Sequence, residues 1–405
     1  MFATFLYVLL LSSLHAKECV ATESTDELEV YLLTTGPGNA MYSKVGHSAL
    51  WISGGGYEER ILNWGAYDSD QQYFLWKFFM GTAEYKLSIM SRQRNDLRIR
   101  NENQNLRAQH LNLPPEMKEK LKKKLDWLML PENRNYLYHW EKQNCATLIR
   151  DVIDDVTNNA IQNTHAHRIF PTKRQEVLRH LESSFAFWFG WHYMGSAYAD
   201  SPYDQWSFLH IPQRLMETVD QTTITWEDGW DRPLVDYSCM LHQSSMLQES
   251  NGWAKTVVPD HTLLFWTIGT ILGYLCWWMC QSKTSIRWIA YSILTVFWVG
   301  FGILSGFFMF CWLFSSLDGY GFNANWYYSS PILLLLPKLV YNHMHKRDTS
   351  SLVWVVRILA LLTMLGITDS VLHIHPQENL DIMGLFVGVQ GALLGLHWKT
   401  PLQKK

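Results

Sequence analysis

The sequence predicts two parts in tandem: an α+β domain over residues 17–258, then an all-α membrane domain of about five helices over 259–405. Three observations carry this. Before about residue 258, strand-like alternation and helical spacing of apolar residues are interleaved. After it, long apolar runs dominate. At the N-terminus, Phe2 to Leu14 form an apolar core too short to span a bilayer comfortably, followed by small residues, so residues 1–16 read as an export signal with cleavage after Ala16 or as an uncleaved anchor.

The chain has 405 residues, and its formal net charge of -3 implies no polyanion partner. The six cysteines fall into two sets. Cys276, Cys280 and Cys311 lie in apolar runs and read as packing residues. Cys19, Cys145 and Cys239 lie in the exported part. With Cys145 as a working thiol, Cys19 and Cys239 could pair in an oxidising compartment. No cysteine or histidine spacing suggests a zinc site, and no cofactor is implied.

Along the first domain, Leu28 to Leu33 reads as a strand, followed by the turn Thr35-Gly36-Pro37-Gly38-Asn39. A strand carrying His47 runs to about Ile52, Gly54-Gly55-Gly56 turns the chain, and Tyr57 to Trp64 returns as its partner. Further strands are expected near Glu84 to Ser91 and Leu106 to Leu113. Pro114-Pro115 opens a helix to about Leu130. Its lysines (118, 120, 122, 123 and 124) lie opposite Met117, Leu121, Leu125 and Leu128, as a solvated face or as a contact with anionic lipid. The aromatic run Phe185 to Met194 is either domain core or a surface at lipid headgroup level.

Two local contexts carry chemistry. His47 stands in Val45-Gly46-His47-Ser48-Ala49-Leu50-Trp51, which alternates like a half-buried strand. Cys145 stands in Gln143-Asn144-Cys145-Ala146-Thr147 and opens a helix whose apolar residues Leu148, Ile149, Val152, Ile153 and Val156 recur at helical spacing. A thiol at a helix N-terminus sits at the positive end of the macrodipole, which favours thiolate. A histidine on a neighbouring strand could take its proton, the layout of a cysteine nucleophile with an imidazole base. The bland reading is a buried small hydrophobe beside an unrelated histidine.

Thiol catalysis also needs a group to orient the base and donors for the oxyanion. Asn63 in Leu62-Asn63-Trp64-Gly65 is the orienting candidate. A three-residue turn at Gly54 to Gly56 would set it opposite His47, whereas a four-residue turn would set Leu62 there. Tyr67 and Asp68 are the runners-up, and Asp68 could simply cap a loop. The Cys145 backbone N–H is the natural oxyanion donor. The Asn144 side chain either adds a second donor or caps the helix.

In the membrane half the candidate spans are about 261–281, 287–316, 331–341, 351–373 and 381–397. The third is short and starts at Pro331, so it re-enters or extends at both ends. With five crossings and an exported first domain, Lys283, Arg287, Lys346, Arg347, Lys399, Lys404 and Lys405 face the cytoplasm, while the outer loops 317–330 and 374–380 hold no Lys or Arg. Lys338, Arg357, Asp369, His373 and His375 are polar where polarity is costly. The aromatic loop from Asp318 to Tyr328 is either a gate for lipid or an interfacial belt.

His on a strand before Cys on a helix reverses the order in papain and matches permuted papain-like enzymes. The segments Tyr31-Leu32-Leu33-Thr34-Thr35-Gly36-Pro37-Gly38, Gly46-His47-Ser48-Ala49-Leu50, Asn63-Trp64-Gly65, Asn144-Cys145-Ala146-Thr147 and Phe208-Leu209-His210-Ile211-Pro212 together resemble the Lnb family over about residues 28–240. This is a family of membrane-anchored bacterial lipoprotein N-acyltransferases with a periplasmic, permuted papain-like (NlpC-type) thiol domain. The resemblance implies an inner-membrane protein whose Cys145 is acylated by a phospholipid. The acyl chain would then pass to the N-terminal amine of diacylglyceryl-cysteine in a lipoprotein, with His47 as the base. His210 is given no role. The competing expectations are a membrane-bound hydrolase of the same fold, acting on a phospholipid ester or a cell-wall amide, and a non-enzymatic envelope protein with a degenerate thiol domain.

Overall fold

The computed structural model describes residues 26–68, 70–165, 172–181, 183–201, 203–245, 258, 260–347 and 349–398. The expected signal segment, residues 1–16, lies outside them, as does Cys19. The chain forms two compact units. The first is built from the ranges up to Gln72, Ala83–Phe170 and Asp204–Lys255; the second takes Tyr73–Thr82, Pro171–Tyr203 and Thr256–Lys405.

The strands are β1 (Glu29–Thr35), β2 (His47–Gly54), β3 (Tyr57–Ala66), β4 (Glu84–Met90), β5 (Leu106–Leu111), β6 (Asn135–Leu137), β7 (Thr223–Thr225), β8 (Asp231–Pro233) and β9 (Val235–His242). The helices of the N-terminal half are α1 (Phe74–Met80), α2 (Arg92–Asn101), α3 (Pro115–Leu128), α4 (Cys145–Val156), α5 (Ala160–His165), α6 (Lys173–Leu181), α7 (Phe185–Met194), α8 (Gln205–Phe208) and α9 (Pro212–Gln221). Those of the C-terminal half are α10 (Thr262–Gln281), α11 (Arg287–Phe314), α12 (Leu336–Met344), α13 (Ser350–Leu372) and α14 (Leu380–Trp398).

The first unit is an α/β domain on a seven-stranded sheet of order β6-β4-β3-β2-β1-β5-β9, antiparallel throughout. Period-two alternation divides its side chains between two faces. Leu32, Leu50, Ile52, Leu62 and Trp64 pack with Leu121 and Leu125 of α3, Ile149 and Ile153 of α4, and Leu215 and Val219 of α9. Tyr31, Leu33, Ala49, Trp51 and Ile61 face the other way and pack with Ile99 of α2. The lysines of α3 meet carboxylates: Lys118 with Glu27 and Glu29, Lys120 and Lys124 with Asp155, Lys122 with Asp126, and Lys123 with Glu119. Their charge is thus matched within the unit, which favours the solvated reading of that face.

The turn after β2 differs from both expected forms. Gly54 pairs with Tyr57, so two glycines, Gly55 and Gly56, make the turn, and a bulge between Ile52 and Gly54 shifts the register beyond it. Both turn glycines have positive φ, which a two-residue hairpin turn of this kind requires. Cys239 on β9 is disulfide-bonded, while Cys145, Cys276, Cys280 and Cys311 are free.

The second unit is helical. α10, α11 and α13 are each long and apolar enough to cross a membrane, and the apolar stretch of α14 is shorter. The expected third span is a 3₁₀ turn, Pro331–Leu335, followed by the nine-residue α12 with Pro337 in its first turn. α10 and α14 cross with glycine against glycine. A Cβ on Gly269 would run into the Gly384 carbonyl, and one on Gly388 into the Gly269 carbonyl. Small residues four apart on both helices allow this approach, which maximises dispersion where no hydrophobic force acts between helices.

The aromatic α7 packs on these helices. Phe189 meets Phe265 of α10 at 5.5 Å and Phe301 of α11 at 6.0 Å, and the Tyr193 hydroxyl bonds Ser305 at 2.6 Å. Several buried charged groups in this unit are paired. Arg174 forks onto Asp200 at 2.8–2.9 Å and donates to the carbonyls of His192 and Gly195. His192 bonds Asp381 at 2.8 Å, and buried Asp369 bonds His375 at 2.9 Å. The aromatic loop is pinned at its centre: Asn323 and Asn325 are buried, and their amides donate to the Tyr193 carbonyl at 2.9 and 3.0 Å. Arg357 and Lys338 are exposed on the bundle surface.

Candidate active site

Cys145 is the first residue of α4, and Asn144 is its N-cap. The Asn144 Oδ1 accepts from the Ala146 and Thr147 N–H groups at 2.9 Å each. Thr147 Oγ1 in turn accepts the Asn144 N–H at 2.9 Å, closing a capping box. The Asn144 amide donates to the Trp140 carbonyl at 2.8 Å and the His210 carbonyl at 2.9 Å. Both of its N–H bonds are therefore engaged. Of its two expected roles the structure supports helix capping, and no N–H remains to meet an oxyanion. His210 contributes its main-chain carbonyl to this arrangement.

His47 opens β2, held by Gly46. That glycine sits at φ +83°, and a Cβ on it would lie 2.5 Å from the Thr35 carbonyl, so no other residue fits before the histidine. The Cys145 thiol hydrogen-bonds the His47 side chain, and the His47 Nε2 hydrogen-bonds Asn63 Oδ1. Nε2 then carries the proton donated to Asn63, which leaves Nδ1 for the thiol.

The register explains how Asn63 arrives there. The β2–β3 ladder begins at the Leu50–Leu62 pair. Continued, it sets Gly65, not Asn63, across from His47, and a Cβ on Gly65 would lie 3.4 Å from the His47 ring. Asn63 is the diagonal neighbour, two residues away on the same face, and diagonal pairs are within reach of long side chains. The expected opposite pairing is thus replaced by a diagonal one of the same parity, and the contact survives. Gly65 is itself the bulged residue between Trp64 and Ala66, at φ +119°, where a side chain would crowd the imidazole.

His47 and Asn63 share the alternation of Ala49, Trp51 and Ile61, the face turned away from α4. The thiol comes from the α4 layer. The two meet beyond the last laddered pair of β2 and β3, where the Ser48 and Ala146 backbone N–H groups also favour the thiolate.

Burial pushes the Cys145 thiol up, but the His47 charge, its hydrogen bond and the two backbone N–H groups outweigh it, and the thiol lies below its usual range. Burial pushes His47 down, but the Cys145 charge and the hydrogen bonds to Cys145 and Asn63 outweigh it, and the imidazole lies above its usual range. Both shifts run toward the charged forms, and each belongs to the pair rather than to either residue alone. Of the runners-up, Tyr67 stands 5.1 Å from the Tyr85 ring, and exposed Asp68 accepts the Asp70 N–H at 3.0 Å, a loop cap.

Sequence reading did not single out the tyrosines around the thiol. Tyr85 stacks on Tyr138 at 4.4 Å and lies 6.3 Å from Tyr136, and both Tyr136 and Tyr138 feel the Cys145 charge. The Tyr136-Leu137-Tyr138 alternation was the available signal, but β6 is too short to register as a strand. Among the described residues no cluster of three or more His, Cys, Asp or Glu side chains is placed to hold a metal ion.

A half-buried cysteine at a capped helix N-terminus, hydrogen-bonded to a histidine that in turn bonds an asparagine, is an arrangement suited to a thiol nucleophile. Residues 17–183 match the Lnb N-terminal periplasmic domain. No curated protein and no solved structure matches the chain. The whole is a membrane-associated protein with a periplasmic Lnb-type domain.

Proposed function

We propose that this protein is a lipoprotein N-acyltransferase working through a thioester on Cys145, with a domain of the permuted papain-like kind in the periplasm and the C-terminus in the cytoplasm. The observation that carries the reading is the Cys145–His47–Asn63 chain of hydrogen bonds in a polypeptide that also holds three helices of membrane-spanning length. A thiol nucleophile in a membrane protein favours substrates with acyl chains.

In the first half-reaction the Cys145 thiolate attacks the ester carbonyl carbon of a phospholipid. Charge develops on the carbonyl oxygen. The Cys145 N–H, at a helix position with no intrahelical acceptor, is the donor available to it. The C–O bond breaks, His47 gives its proton to the departing alkoxide, and a lysophospholipid leaves. In the second half the α-amine of a diacylglyceryl-cysteine attacks the thioester. His47 takes the amine proton and the C–S bond breaks. The amide is released with Cys145 again a thiolate beside imidazolium. Asn63 keeps the imidazole in one tautomer and favours its charged form through both halves.

The test is mass spectrometry of the purified protein incubated with phospholipid, wild type against Cys145→Ala. An acyl-sized, hydroxylamine-labile adduct on wild type alone is expected, discharged when a diacylated lipopeptide is added. Free fatty acid released at an undiminished rate without any amine would instead assign a phospholipase. No adduct even at short times and low temperature would remove the acyl-transfer reading.

A further inference from the structure

The connection between β3 and β4 belongs to the helical unit. α1 carries Phe74-Leu75-Trp76-Lys77-Phe78-Phe79-Met80, and it packs on the C-terminal end of α11. Trp76 lies 5.5 Å from Phe310, and Phe79 meets Phe307 edge-on at 5.1 Å. Polar bonds fix the same contact. The Ser315 hydroxyl donates to the Phe79 carbonyl at 2.8 Å, and the Ser316 hydroxyl to the Met80 carbonyl at 3.1 Å. These bonds satisfy α1 carbonyls that would otherwise need water.

The remaining face of α1 is apolar and open: Tyr73 is 70 % exposed, Leu75 61 % and Trp76 48 %. The end of α11 beside it is open too, with Leu313 at 63 % and Phe314 at 64 %. α11 is one of the three helices of spanning length, so its open apolar residues are a lipid-facing surface. Trp76, in ring contact with half-open Phe310, joins that surface to the open face of α1, which also holds Tyr73, Leu75 and the one basic residue of α1, Lys77. A patch of this composition next to a spanning helix is suited to the headgroup and upper acyl region.

We propose that α1 is an interfacial membrane helix whose open face is covered by phospholipid of the periplasmic leaflet. The side of the membrane follows from connectivity: α1 is joined by short links to two strands of the periplasmic domain, β3 before it and β4 after it. The end of α11 on which it packs is then the periplasmic end. This agrees with Lys283 and Arg287 marking the opposite, cytoplasmic end of the α10–α11 hairpin. α1 thus adds a lipid contact to the helical unit in the stretch of chain between β3 and β4.

The experiment uses the full chain in phosphatidylethanolamine/phosphatidylglycerol nanodiscs containing a phospholipid with a photoactivatable diazirine near the glycerol end of one acyl chain. Irradiation and peptide mass spectrometry are expected to find lipid adducts on the peptide covering Tyr73 to Lys77, alongside adducts on Leu313 or Phe314 that serve as the internal control. In Leu75→Glu, a change at an exposed position, adducts on α1 are expected to fall at least about tenfold with those on α11 retained. Iodoacetamide alkylation of Cys145 should be unchanged, which reports an intact fold. Labelled α11 with unlabelled α1 in wild type would overturn the proposal. So would cross-links joining α1 of two copies, because the face would then be a protein interface. Photolabelling does not depend on turnover, so this outcome is independent of whether Cys145 is acylated.

Discussion

Replacing Asn63 by alanine isolates the register-dependent part of the site. In the folded protein Asn63 Oδ1 accepts the His47 Nε2–H in a half-buried position. The substitution removes that acceptor and leaves the N–H facing a methyl group. A hydrogen bond to a charged group is worth about 1.5–3 kcal/mol, and imidazolium is the form this bond favours. A loss of that size in a step that depends on the ion pair corresponds to a rate about 10- to 150-fold lower. The sign of the pH effect follows from the same bond. Without it His47 falls and Cys145 loses part of the charge that holds it down, so the onset of thiolate reactivity moves to higher pH. The assays are single-turnover acylation by phospholipid and the pH profile of iodoacetamide alkylation, with thermal unfolding as a control for fold. An Asn63→Ala protein that acylates within about twofold of wild type with an unshifted profile would refute the diagonal His47–Asn63 contact as a functional one.

Other expectations follow from the same geometry. His47→Ala leaves burial unopposed by the imidazolium, so alkylation of Cys145 should begin only above the ordinary thiol range, read as a displaced pH–rate profile. Asn144→Ala unties Ala146, Thr147 and the Trp140 and His210 carbonyls at once; it should cost about 2–3 kcal/mol, seen as a lower denaturation midpoint of the full chain, with Asn144→Ser recovering part of it. Gly388→Val drives a side chain into the Gly269 carbonyl and should destabilise the α10–α14 crossing by roughly 1–3 kcal/mol. Faster thermal aggregation in detergent would report this, and an unchanged midpoint would contradict so close a crossing.

What could be read from the chain alone was whatever local chemistry controls. Alternation placed β1 to β5 to within a few residues, because one face of each strand is buried and the period-two pattern records it. Asn144 before Cys145 marked a helix start, with capping one of two roles open to its side chain, since a cap is satisfied by atoms two and three residues away. Long apolar runs marked five candidate spans, of which three, α10, α11 and α13, are helices long and apolar enough to cross a membrane, because a bilayer imposes length directly on sequence. α2 escaped notice because its ten residues are almost all polar, and only Ile99 reaches the core.

Tertiary structure decided the rest. The side-chain period of a strand does not say which residue of its partner stands opposite. The face of Asn63 was therefore open between two turn lengths, and the two-glycine turn with the Ile52–Gly54 bulge put Asn63 on the face of His47 at a diagonal and Gly65 beside the imidazole. Whether Asn144 donates to an oxyanion or caps a helix depended on the carbonyls of Trp140 and His210, the second of which is far away in sequence. The membership of residues 73–82 in the helical unit rests on the partners their aromatic residues find on α11. Composition records that a segment is apolar, and only packing determines which surface covers it.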